Sequence, residues 1–206
     1  MSELLDSLRS QLGDEQIEAL SRSLGANPDQ TKQAIGAAMP TLLGALARNA
    51  SDSSGQERLH QALVRDHDGS LLDHLGGLFG GQTPAPTGGM TAKTAAGDAI
   101  LNHMLGGRKQ RVEAGISKAS GLSGGQSMQL MATLAPMLMG ILGKKRQQAN
   151  LSPGGLGDLL RGESEQVEAS TGAKGGFVAR MLDQDGDGDF DVMDVVKFGM
   201  SRLFGR

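Results

Sequence analysis

Leu24-Gly25-Ala26-Asn27-Pro28-Asp29-Gln30 contains a helix stop, an N-cap, a proline for the first helical position and a glutamine three residues after the cap. Ala34, Ile35, Ala38, Met39, Leu42, Leu43 and Leu46 then recur at helical spacing, which predicts a long buried helix. Pro40 falls inside it; lacking an N–H and crowding the carbonyl of Gly36, it is expected to kink that helix. The pattern returns 96 residues later. Ser123-Gly124-Gly125-Gln126 is again a cap with a glutamine at its third position, and Pro136 again follows the cap by thirteen residues. The same shift, without gaps, pairs Leu5 with Leu101, Ser21 with Ser117, Gly25 with Gly121, Gln33 with Gln129, Leu42 with Leu138, Gly44 with Gly140 and Leu46 with Leu142. Stops, caps and prolines coincide, so the expected fold class is all-α, built on a duplicated helical unit.

Outward from the first copy, Leu4, Leu5, Leu8 and Leu12 form one helical stripe, and Ile17, Leu20 and Leu24 continue it to Gly25, giving two short helices. Gly69-Ser70-Leu71-Leu72-Asp73 resembles Gly154-Gly155-Leu156-Gly157-Asp158 and extends the correspondence. The expected organisation is a first helical repeat at 1–79, a Gly/Pro/Thr-rich linker at 80–96 and a second repeat at 97–162. A flexible linker at 163–176 and a helix-loop-helix at 177–206 complete it.

Composition narrows the chemistry. With no Cys among 206 residues, disulfides, thiolate metal sites and thiol catalysis are excluded. Tyr and Trp are absent, so the core must come from Leu, Ala, Ile, Val and eleven Met, an adaptable set. A net charge of −3 argues against general attraction to nucleic acid, and Lys144-Lys145-Arg146 reads as cations complementing a helix C-terminus. The longest apolar run, residues 130–142, is shorter than the roughly 20 residues a membrane span requires. Residues 1–12 mix acids with leucines and show no secretory signal, which makes the cytoplasm the default expectation; an extracellular setting stays compatible with the calcium chemistry below.

That chemistry lies near the C-terminus. Asp183, Asp185, Asp187, Asp189, Asp191 and Asp194 alternate around Gly188, an arrangement that resembles the calcium loop of EF-hand and dockerin modules. A hard divalent cation takes six to eight oxygens in such a loop, with glycine making the turn at its sixth position. The resemblance implies side-chain ligation by Asp183, Asp185 and Asp187, a backbone carbonyl from Asp189 and a water-mediated contact from Asp191. Phe190 takes the hydrophobic slot. Asp194 stands where EF-hands usually carry a bidentate Glu, and its shorter reach weakens the preference for calcium over magnesium. Phe177, Val178, Met181 and Leu182 fit an entering helix, and Val195, Val196, Met200, Leu203 and Phe204 an exiting one. A single loop leaves Phe190 without the usual paired loop, so the loop is expected to pair with another subunit or to pack on the helical body.

Leu24-Gly25 before a capped, proline-containing helix, together with residues 97–107 (Gly-Asp-Ala-Ile-Leu-Asn-His-Met-Leu-Gly-Gly), resembles the YidB-like family of bacterial proteins of unknown function, over about residues 1–162. The resemblance implies a small helical, homeodomain-like arrangement and supplies no catalytic residues.

Other candidates are weaker. His60, His67 and His74 recur every seven residues among Asp66, Asp68 and Asp73, but neither a His-x-x-x-His pair nor a glutamate base accompanies them, and His103 stands apart. Met128, Met131, Met137 and Met139, with Leu134 and Leu138, suit a core better than a partner groove. Gly76-Gly77 and Gly106-Gly107 lack the Gly-Lys-Ser/Thr ending of a phosphate loop and read as helix stops. The expectation is a non-enzymatic calcium-binding helical protein acting in assembly or protein interaction, with a protein partner or self-association. A homeodomain-like nucleic-acid binder and a metal-dependent hydrolase are the alternatives.

Overall fold

The computed structural model describes residues 3–65 and 89–182, with side chains described within 4–65 and 97–167. Among these residues the chain is all-α, with no strand. The helices are α1 (Glu3–Gln11), α2 (Asp14–Leu24), α3 (Pro28–Asn49), α4 (Ser53–Arg65), α5 (Gly89–Leu105), α6 (Lys109–Ser120), α7 (Gly124–Ala149) and α8 (Pro153–Leu182), and a 3₁₀ turn (Gly106–Arg108) joins α5 to α6.

Local chemistry sets the boundaries. Gly25 ends α2 with φ 64° and Gly121 ends α6 with φ 74°, a left-handed backbone that glycine adopts without a Cβ penalty. After each comes a complete capping box. Asn27 Oδ1 accepts from the Gln30 N–H at 2.8 Å while the Asn27 N–H donates to Gln30 Oε1 at 3.5 Å. At α7, Ser123 Oγ accepts from the Gln126 N–H at 3.3 Å and the Ser123 N–H donates to Gln126 Oε1 at 2.8 Å. Both prolines sit inside uninterrupted helices, Pro40 in α3 and Pro136 in α7.

Helices α3 and α7 form the centre. Leu42, Leu43, Leu130, Leu134, Leu138 and Leu142 are fully buried on them, and one hydrophobic core takes residues from all eight helices. Packing crosses between the first four helices and the last four. α3 packs on α5, α6 and α8, while α7 packs on α1, α2 and α4; α3 meets α7, and α4 meets α8. Small residues allow the closest approaches. A Cβ on buried Gly97 would run into the backbone of Ala132, with the Ala132 Cα 2.9 Å away, so α5 can lie along α7 only because residue 97 has no side chain.

Two helical stretches carry little local signal in the sequence. Helix α4, capped by Asp52, whose Oδ1 accepts from the Gly55 N–H at 2.8 Å, occupies a stretch with little sequence signal. Helix α8 runs through residues 163–176, where the glycine-rich composition suggests a flexible linker. Tertiary packing supports the helix just beyond residue 162: Glu163 and Val167 are buried, and the Glu163 carboxylate accepts the Leu4 N–H at 3.1 Å, filling an otherwise open donor in the first turn of α1.

The capping glutamines also join the two groups of helices. Gln30 Nε2 donates to the Gly121 carbonyl at 3.2 Å, and Gln126 Nε2 donates to the Leu24 and Gly25 carbonyls at 2.9 and 3.3 Å. Each side chain thus uses its oxygen on its own helix and its nitrogen on the other group's helix end. Gln126→Glu keeps the capping box but replaces the donating nitrogen with a carboxylate oxygen facing the Leu24 carbonyl. The expected loss is about 1–2 kcal/mol, measured by urea denaturation, against almost none for a variant that lost only a solvent contact.

Candidate functional site

The six candidate metal ligands Asp183, Asp185, Asp187, Asp189, Asp191 and Asp194 lie outside the described residues, as do His67, His74, Asp66, Asp68, Asp73 and Gly76-Gly77. The described chain reaches the loop through α8, whose backbone is helical up to Leu182, the residue before Asp183. A helix therefore ends immediately before the first candidate ligand.

The remaining candidates are not gathered into a site. His60 is half-buried, with Nε2 3.2 Å from the Leu151 carbonyl, and His103 is exposed on α5. Among the described residues no three His, Cys, Asp or Glu side chains cluster in a way that would hold a metal. Met131, Met137 and Met139 are buried and Met128 half-buried, so these methionines fill core rather than line a groove. Gly106 has φ 53° and follows the last residue of α5, which makes it a helix stop.

Side-chain hydrogen bonds tie neighbouring helices within each group and, at one helix end, one group to the other. Ser21 Oγ lies 2.9 Å from Thr31 Oγ1, and Ser117 Oγ lies 2.9 Å from Ser127 Oγ, each pair tying a helix to the one that follows it. Asn49 Nδ2 donates to the Met104 carbonyl at 3.1 Å and holds the end of α3 against the end of α5. Asp52 is fully exposed, yet the Gly55 N–H and then the Ser54 hydroxyl keep its carboxyl below the usual carboxylate range. The sign follows: a depressed folded-state value stabilises the α4 cap above the ordinary carboxylate range, and that support is lost as acid protonates the group.

A cleft of about 220 Å³ opens between α1 and the end of α7, with Ser7, Gln11, Lys144, Lys145 and Gln148 in its lining. Among the described residues neither His nor a carboxylate lines it. The Lys144-Lys145-Arg146 cluster stands in the last two turns of α7, where cations complement the carbonyl end of the helix. Elsewhere, Lys32 pairs with Asp14 at 3.2 Å, and Lys109 with Asp98 at 3.3 Å, both at the surface. No helix among the described residues is long and apolar enough to cross a membrane.

The model of a bacterial protein family of unknown function (DUF937) matches residues 6–145, well over half of the chain and from α1 into the last turns of α7. The chain belongs to this family. The match covers both capped helices and stops short of α8 and the acidic segment, so the candidate metal ligands of this DUF937 member fall outside the part the family describes. No curated protein and no solved structure matches the chain.

Proposed function

We propose that this DUF937 protein is a non-enzymatic calcium-binding helical protein that acts in structural assembly or protein interaction, with calcium holding its C-terminal helix-loop-helix. The observation that carries the reading is the register of residues 183–194: oxygen ligands at alternate positions, glycine at the turn, Phe190 in the hydrophobic slot. Six aspartates within twelve residues repel one another unless a cation neutralises them, and a helix leads into the first of them. The ligands are Asp183, Asp185, Asp187, Asp189, Asp191 and Asp194, and magnesium is the competing cation because Asp194 replaces the longer Glu.

The helical body is read as one unit built twice, in keeping with the likeness to the YidB-like proteins. Capping boxes and left-handed glycines 96 residues apart support that reading, as do the exchanged contacts of α3 and α7. Such a body supplies surface for association rather than a reaction centre.

Light scattering after gel filtration, in calcium and in chelator, tests the reading together with limited proteolysis. In calcium the tail becomes resistant to cleavage and the melting temperature rises, by an amount that corresponds to about 2.7 kcal/mol once calcium reaches a hundred times its dissociation constant. Mass, melting temperature and cleavage all indifferent to calcium would reject it.

A further inference from the structure

We infer that the seam between residues 3–65 and residues 97–167 is an interface that a second copy of this chain can occupy by exchange of halves. The inference takes its assembly role from the reading above but does not depend on the calcium loop.

Three observations carry it. First, most of the packing that closes the core runs between the halves: α3 against α5, α6 and α8, α7 against α1, α2 and α4, and the central pairs α3 with α7 and α4 with α8. Each half therefore leaves much of its apolar surface to be covered by the other. Second, the polar contacts at the seam are reciprocal and specific. Gln30 reaches the Gly121 carbonyl at the end of α6, and Gln126 reaches the Leu24 carbonyl at the end of α2, at 3.2 and 2.9 Å. Third, each of these contacts joins groups more than 90 residues apart in sequence, so the seam forms only when a first half meets a second half and not within either half.

An exchanged dimer keeps every one of these contacts, so the cost of association sets it against the monomer. Within one chain the halves meet at an effective concentration on the order of millimolar, which keeps dilute chains monomeric. Remove that intramolecular competitor and exchange follows. Reciprocal exchange with one partner gives a closed dimer; exchange with two different partners gives an open chain.

The test uses two full-length variants in chelator. Leu138→Asp places a charge in the core of the second half, and Leu42→Asp in the core of the first; both leucines are fully buried. Each variant alone loses most of its helical circular-dichroism signal. Mixed one to one from denaturant at about 100 μM, they recover about half the wild-type signal, because one intact first half and one intact second half assemble per pair of chains, and light scattering reports two chains. A mixture whose signal stays at the mean of the two separate signals overturns the proposal. Wild-type chain provides a measurement independent of both variants: refolded at millimolar concentration it yields a two-chain species that persists on dilution, and a monomer under all conditions overturns the proposal equally. Calcium binding can fail without affecting either result.

Discussion

Leu138→Ala lowers the stability of the helical body by about 3–5 kcal/mol, and Leu42→Ala by a similar amount. Both side chains are completely buried, and truncating such a leucine removes its transfer free energy and leaves a cavity that close-packed helices fill only in part. The core is continuous across α3 and α7, so neither substitution melts one half alone. Unfolding is a single transition in both variants, shifted down by roughly 6–20 °C for a domain of this size. Scanning calorimetry checks both points: a first-half transition that survives Leu138→Ala unshifted contradicts a shared core.

Gly97→Ala destabilises the protein, although glycine to alanine within a helix is normally favourable. In an open helical position the change gains up to about 1 kcal/mol, and Gly36, which has nothing within 4 Å of a built Cβ, is expected to show that gain. At Gly97 the added methyl meets backbone atoms of Ala132, which cannot rotate away, so α5 must lift from α7. The expected net loss is about 1–3 kcal/mol, read from urea midpoints at constant m-value. Opposite signs at Gly36 and Gly97 identify close helix approach as the cause; equal signs remove it.

How much of this was legible in the sequence depends on whether the controlling contact is local. Caps and stops are local: Asn27, Gln30, Ser123, Gln126, Gly25 and Gly121 act within a few residues of themselves, and their pattern predicts where α2 and α6 end and where α3 and α7 begin. The second use of Gln30 and Gln126 was not legible. Their side-chain nitrogens bond carbonyls 91 and 102 residues away, positions that only packing brings together. Helix α4 carries few large apolar residues, Leu59 and Leu63 among them, and a glycine in its first turn, so its existence rests on the partners it meets in α7 and α8. The glycines near residue 162 read as a break, yet burial of Glu163 and Val167 continues α8 past them. Long-range packing overrides a weak local preference there. In the candidate metal site the residue types and register are plain in sequence, because a calcium loop draws its ligands from one contiguous segment.

The most direct measurement is calorimetric titration of the full chain with calcium, beside Asp187→Asn and a parallel titration with magnesium. The expected result is one calcium per chain, at least a tenfold loss of affinity in the variant, and a helical signal from the body that is the same in both proteins. Heat indistinguishable from dilution for the unaltered chain, at calcium up to several millimolar, would contradict it.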